Sequence, residues 1–300
     1  MKYGQFVIGP AGSGKSTYCQ IMYEHGLVNG RNFKVVNLDP AAEAFKYPCY
    51  LNIADLISIE DTSTDADLNL GPNGGLVFCM EYLSENLDWL TENLAYGEDD
   101  YFIFDCPGQI ELYTHVPVMR KVVNELARLD FRLCTIFALD TQFLLDSPKF
   151  ISGSLVALST MLSLELPHVN VLTKVDLLDK KQKKELESIL EPGSDMLRSY
   201  GPHCSRFSKK YRKLTDALIS VIDEFSLIRY QPLDITDEES IADLSIVIDN
   251  CIQFGEDAEV NDKFPEEREA DFGKRVNLDK KSHFTSAFYL HYGIVDCLTR

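Results

Sequence analysis

Gln5-Phe6-Val7-Ile8-Gly9-Pro10-Ala11-Gly12-Ser13-Gly14-Lys15-Ser16 is the stretch on which the fold turns. Its first four residues are a short apolar run closed by a glycine, the pattern of a buried strand. The next eight fit G-x-x-x-x-G-K-[ST] in full, and helical sequence then runs from Lys15 to about His25, stopping near Gly26. Between a strand and a helix, glycines let successive backbone N–H groups turn inward around phosphate oxygens at the positive end of the helix dipole. Gly12, Ser13 and Gly14 form that cradle, and Thr17 extends it. Lys15 reaches the β- and γ-phosphates, and the Ser16 hydroxyl ligates Mg²⁺. A nucleoside triphosphate follows from this pattern; the identity of its base does not.

Outward from this loop, buried-strand patterns recur at residues 33–38, 101–104, 133–139 and 169–172, with a weaker one at 228–230 and 233. Helical stretches separate most of them, at about 116–128, 149–164, 180–190, 208–225 and 238–254. Such alternation predicts an α/β fold of the P-loop NTPase kind, a mostly parallel sheet flanked by helices, with ligands at the carboxyl ends of the strands. Residues 55–70 hold five acids and no basic residue and read as a solvated insert. They lead into Gly71-Pro72-Asn73-Gly74-Gly75 and one helix over about 76–94, whose Leu76, Met80, Leu83, Leu87, Leu90 and Leu94 make an apolar face. Residues 1–255 form the expected globular domain. Residues 256–300 read as a charged tail without regular structure.

Base choice comes from Thr173-Lys174-Val175-Asp176, which ends the strand pattern at 169–172. One carboxylate, Asp176, can accept from guanine N1–H and the exocyclic amine together. Adenine offers neither donor and would leave a buried acid unpaired. The Lys174 stem would lie along the ring, and Thr173 belongs to the same guanine-binding turn. Asp105-Cys106-Pro107-Gly108-Gln109 ends another strand: Asp105 can hold Mg²⁺ through water, the Gly108 N–H can meet the γ-phosphate, and Gln109 can orient the attacking water. Glu111 either polarises that water or anchors the loop, or is simply a first-turn helix acid. Asp39, closing the strand at 33–38, belongs either to the magnesium shell and the water or to an Asx turn. No arginine falls near these motifs in the sequence. Arg31 precedes a strand and Arg120 sits within a helix, so slow turnover, or a donor from another subunit, follows.

Taken in order, the phosphate loop, Asn37-Leu38-Asp39-Pro40-Ala41, Gly71-Pro72-Asn73-Gly74-Gly75, Asp105-Cys106-Pro107-Gly108-Gln109-Ile110-Glu111 and Thr173-Lys174-Val175-Asp176 resemble the GPN-loop GTPases over about residues 3–255. Gly9-Pro10-Ala11-Gly12, Phe78-Cys79-Met80-Glu81-Tyr82 and Gln109-Ile110-Glu111-Leu112-Tyr113-Thr114-His115 most resemble that family's third paralogue. The resemblance implies a magnesium-dependent GTPase that works as a dimer, each Gly-Pro-Asn segment entering the other subunit's site so that Asn73 acts in trans. It further implies a role in RNA polymerase II assembly and nuclear import, with the first paralogue as heterodimer partner (or a homodimer) and polymerase subunits as clients. Residues 272–300 depart from the acidic tail expected of that paralogue. A nucleotide-binding scaffold with negligible hydrolysis remains the alternative, and a kinase a more distant one, since Thr173–Asp176 would have no role there.

The charge balance of −18 excludes a basic coat, and with it non-specific nucleic-acid binding. The eight cysteines show no CxxC pairing, which reads as reduced thiols rather than a disulfide framework or a zinc site. The N-terminal residues run straight into the first strand, and the most apolar segment, 153–166, is short and serine-rich. The expectation from these features is a soluble intracellular protein with no membrane association, and the family resemblance adds shuttling between cytoplasm and nucleus.

Overall fold

In the computed structural model, residues 1–64, 70–95, 100–144, 147–190, 213–214, 216–222 and 229–256 are described. Seven strands among them join in one sheet: β1 (Lys2–Ile8), β2 (Phe33–Asn37), β3 (Cys49–Asn52), β4 (Tyr101–Asp105), β5 (Phe131–Asp140), β6 (His168–Thr173) and β7 (Tyr230–Pro232), in the order β3-β2-β4-β1-β5-β6-β7. Every pairing is parallel. The register brings the functional strand ends level: Val7 and Asn37 both lie opposite Asp105, and Asp140 lies opposite Thr173. That places the motif-bearing loops along one carboxyl edge, as the alternating pattern predicts.

Alternate residues of the central strands enter two separate cores. Phe6, Ile8, Phe104, Phe137 and Leu139 face one cluster, which also holds Leu76, Met80, Val122, Phe150 and Ala157. Val7, Ile103 and Ile136 face the other, with Tyr18, Met22, Leu244 and Ile248. The first is covered by α3 (Pro72–Glu85), α4 (Leu87–Leu94), α6 (Val118–Arg128) and α7 (Ser147–Leu164). The second is covered by α1 (Lys15–Val28) and α9 (Glu238–Ile252). Burial on both faces explains why the central strands read as unbroken apolar runs. Three further short or peripheral helices among the described residues are α2 (Ile59–Thr64), α5 (Glu111–Thr114) and α8 (Lys180–Leu190).

Four expectations need correction. The first helix continues through Gly26 to Val28. Gly26 is there for packing, because a Cβ would come within 2.6 Å of the Phe33 ring. The helix is ended instead by Gly30 at φ 69°, beside the bond from Arg31 N–H to the Gly26 carbonyl. The single helix expected over 76–94 is two helices broken at Asn86. Its side-chain Nδ2 donates to the Tyr82 carbonyl at 2.8 Å, competing with the helical ladder. The apolar face is nevertheless core, with Leu76, Met80, Leu83, Leu90 and Leu94 all buried. The acidic insert is not simply solvated: Ile57 and Thr62 are buried, and a Cβ on Gly75 of α3 would meet the Thr62 hydroxyl oxygen at 2.7 Å.

Finally, β3 escaped the sequence pattern. It is a four-residue edge strand, paired only with β2 through a register shift between Val35 and Val36, too short to show a period. The described residues lie within one unit, Met1–Asp257. The charged tail beyond residue 256 and half of the helix expected over 208–225 lie outside the described residues; the described part of that helix, 213–214 and 216–222, is helical. Cys19, Cys49, Cys79, Cys106, Cys134 and Cys251 are free thiols.

Candidate active site

The phosphate loop owes its shape to three glycines with positive φ: Gly9 at 143°, Gly12 at 75° and Gly14 at 88°. Gly9 tolerates no side chain, since a Cβ would sit 2.3 Å from the Ala138 carbonyl oxygen of β5. Gly14 in the left-handed region begins α1, so the helix points its unpaired N–H groups into the loop. The Lys15 ammonium folds back inside and donates to the Gly9 and Pro10 carbonyls, at 3.2 Å each. Burial lowers its pKa, while the nearby Asp105 and Asp39 carboxylates act in the opposite sense. The Ser13 hydroxyl is buried with no partner. A positive-φ cradle, an enclosed ammonium and an orphaned hydroxyl fit an anionic, oxygen-rich ligand such as a polyphosphate.

Asp105, at the end of β4, is 3% exposed. Desolvation raises its pKa; hydrogen bonds from Ser16 and Tyr47 and the charge of Lys15 oppose that rise. The Tyr47 hydroxyl donates to Asp105 Oδ2 at 2.8 Å. Burial, and then the carboxylate itself, push the Tyr47 phenol above its ordinary range, so it remains a donor. Ser16 and Asp105 thus lie together as a hydroxyl and a carboxylate, a donor set that suits a hard divalent cation such as Mg²⁺. Asp39 does form an Asx turn: its Oδ1 accepts from Ala41 N–H at 2.9 Å. The Asn37 side chain braces the same bend, accepting from Asp39 N–H at 3.1 Å and donating to the Asp39 carbonyl at 2.9 Å. The turn and the expected place near a divalent cation are compatible, because the turn occupies one carboxylate oxygen only.

The loop after β4 leans on the phosphate loop directly. A Cβ on Gly108 would lie 3.0 Å from Ala11 Cα, and the buried Tyr113 hydroxyl donates to the Pro107 carbonyl, holding the turn from below. Gln109 follows, with its Nε2 donating to Asn73 Oδ1 of the same chain at 3.1 Å. Asn73 belongs to the first turn of α3, where Gly71 is the N-cap and Pro72 occupies the first helical position. The Gly-Pro-Asn segment is therefore a helix entry, and within one chain it reaches Gln109. Glu111 is exposed at the start of α5, the first-turn position favoured by the helix dipole.

The loop expected to recognise the base follows β6. Thr173 faces the phosphate loop, its hydroxyl lying 2.6 Å from the Ser13 carbonyl and 3.2 Å from the Leu139 carbonyl. Lys174 takes φ 62° and donates to Asp140 Oδ2 at 2.6 Å, while Asp140 Oδ1 accepts from Gln142 N–H. Asp176 sits half-buried in the 3₁₀ turn Val175–Leu177. A cleft of about 350 Å³ adjoins this loop, lined by Asp140, Thr141, Gln142, Lys174, Leu177 and Leu178 among others. The arginines discounted from the sequence do lie elsewhere. Arg31 pairs with Asp249 at 2.7 Å, and Arg120 pairs with Glu165 at 2.6 Å.

Sequence reasoning missed Tyr47, Tyr113 and Asp140. Tyr47 and Asp140 have motif partners 58 and 34 residues away, which no local pattern marks; Tyr113 lies within a quoted motif, but its bond to Pro107 six residues back has no signal of its own. Asp140 alone carried a signal, as an acid closing a strand pattern on the motif-bearing edge.

A parallel sheet with a glycine loop after its first strand, an invading lysine and a strand-end aspartate defines a P-loop nucleotide-binding protein. Comparison with known proteins carries this further. Residues 7–254 match a family described as "Conserved hypothetical ATP binding protein". A Danio rerio protein named GPN-loop GTPase 3 is 52% identical over 261 residues, covering 87% of this chain and 91% of that one. Its namesake in Xenopus tropicalis is 51% identical over 280 residues, covering 93% and 96%, and that of Saccharomyces cerevisiae 43% identical over 260 residues, covering 86% and 95%. The chain belongs to the GPN-loop GTPase family. A solved structure of a GTPase in apo form from Pyrococcus abyssi shares the fold, with a TM-score of 0.68 at 22% identity over 83% of this chain and 97% of that one.

Proposed function

We propose that this chain binds GTP with Mg²⁺ and hydrolyses the γ-phosphate. One observation carries the reading: Thr173, in the turn that presents Asp176, is hydrogen-bonded at 2.6 Å to the Ser13 carbonyl of the phosphate loop. A base-recognition turn joined to a phosphate cradle makes sense for a single ligand that spans both, and Asp176 accepts the two donors of guanine. The family description mentions ATP and the relatives' names GTP; a carboxylate acceptor at this turn favours guanine. Ser16 and Asp105 would hold Mg²⁺, with Asp39 beside them; the cation would supply charge for the developing phosphoryl oxyanion. Lys15 would exchange its two loop carbonyls for phosphate oxygens. Gln109 would align water, and Glu111, being exposed, would support that loop.

The site lacks an arginine among the described residues in contact with it, so the missing donor is proposed to come from a second subunit. Asn73 is the candidate. Its Oδ1 is engaged by its own Gln109, and its Nδ2 retains donors of the kind a transition state requires. On family membership we further propose a dimer, with the first paralogue as partner or with a second copy, acting in RNA polymerase II assembly and nuclear import, in the cytoplasm and nucleus. No helix among the described residues is long and apolar enough to cross a membrane.

Single-turnover hydrolysis of γ-labelled GTP, with and without the partner subunit, tests the reading. Wild type should release phosphate to water. Lys15→Ala should abolish triphosphate binding, and Gln109→Leu should bind GTP yet stop turnover. Tight GTP binding with no hydrolysis in either setting would leave the scaffold reading standing in place of the enzyme.

A further inference from the structure

Tyr47 belongs to no motif, yet it makes one of the best-defined contacts in the site. It lies in the loop between β2 and β3, the loop that carries Asp39, and it is 5% exposed. Phe45 packs on its ring at 5.7 Å between centroids, tilted by 37°. Its hydroxyl donates to Asp105 Oδ2 at 2.8 Å. A carboxylate at a strand end turns easily about its last torsion, which is broad and roughly two-fold. A buried donor on one oxygen removes that freedom.

We infer that Tyr47 is a positioning residue for the metal site. Its hydroxyl fixes, together with that of Ser16, the plane of the Asp105 carboxylate and commits one oxygen to the phenol, so that Ser16 and the carboxylate remain to share the cation or its water. The same bond ties the loop carrying Asp39 to β4, so the two acids assigned to the metal are set with respect to each other by one hydroxyl. No sequence spacing links residues 47 and 105; only the sheet brings them together, through β2 lying beside β4. The inference rests on the magnesium-dependent reading above and adds to it the residue that orients the carboxylate.

The test is Tyr47→Phe, which keeps the ring and its packing on Phe45 and removes the hydroxyl alone. Mn²⁺ is titrated, with electron paramagnetic resonance as the readout, into the full chain loaded with a non-hydrolysable GTP analogue. A fluorescent guanine nucleotide is titrated separately in EDTA. Because hydrogen bonds to charged groups are the stronger ones, Mn²⁺ affinity should fall about tenfold. Metal-free nucleotide affinity should be unchanged, while the melting temperature of the apo protein should fall by a few degrees because the buried Asp105 carboxylate loses a donor. Asp105→Asn should weaken Mn²⁺ binding more, and Tyr47→Phe on that background should add nothing.

Equal Mn²⁺ affinity in wild type and Tyr47→Phe would overturn the inference while leaving the metal-dependent reading intact. A matching loss of metal-free nucleotide affinity, or an effect that adds to that of Asp105→Asn, would overturn it too, by showing general support of the loop. A wild-type complex that takes up no Mn²⁺ would remove the metal-dependent reading and this inference with it.

Discussion

Replacing Thr173 by valine should loosen the join between base loop and phosphate loop. Thr173 is 4% exposed, and its hydroxyl carries one proton, which the 2.6 Å distance assigns to the Ser13 carbonyl rather than to Leu139 at 3.2 Å. Valine keeps the volume but leaves that buried carbonyl short of its donor, a loss of about 1–3 kcal/mol. It also sets a methyl where an oxygen stood 2.6 Å from another oxygen, far inside the separation a carbon needs, so the loop must shift. Together these terms point to about 2–3 kcal/mol, and a melting temperature lower by roughly 4–10 °C for a domain of this size. If half of that loss falls on the bound geometry, GTP affinity drops by about tenfold. Calorimetric melting of the apo protein and titration with GTP read the two effects. Thr173→Ser, which keeps the hydroxyl, should stay near wild type in both. A valine variant matching wild type in melting and in GTP affinity would refute the claim that this hydroxyl couples the two subsites.

Two further outcomes follow from the site and the core. Asp176→Asn should weaken GTP by about 1–3 kcal/mol, since the amide cannot accept from both guanine donors, and should admit xanthosine triphosphate; competition between the two nucleotides is the measurement, and an unchanged preference would contradict the role of Asp176. The His168 ring stacks on Phe137 with both nitrogens buried, and burial lowers its pKa from 6.5 to about 4 despite an opposing interaction with the Asn170 side chain. The folded state therefore holds the ring neutral while the unfolded chain takes up a proton below 6.5. Stability should fall as pH drops from 6.5 to about 4, by about 3 kcal/mol from this group. His168→Phe should flatten that part of the denaturant-derived stability profile; parallel curves for the two proteins would show that the ring does not titrate as argued.

The phosphate loop, the alternation of strands and helices and the parallel sheet could all be read from the chain alone, for a common physical reason. Each is set by local rules: glycines where φ must be positive, an apolar run where both faces of a strand are covered, a 3.6-residue period where one face of a helix is covered. Gly9, Lys15, Asp105 and Asp176 carry their chemistry within a few residues of a strand end, so spacing alone places them. Tertiary structure decided what spacing cannot encode. Gly26 lies inside its helix because of a ring seven residues away, and Asn86 divides what the apolar period presents as one helix. Short β3 exists because β2 offers an edge. The partners Tyr47–Asp105, Thr173–Ser13 and Asn73–Gln109 are separated by 58, 160 and 36 residues. A hydrogen bond between distant residues leaves no trace in either neighbourhood, because its geometry comes from the order in which strands enter the sheet. The sequence therefore determined which groups could act on a nucleotide, and the packing of the sheet decided which of them meet.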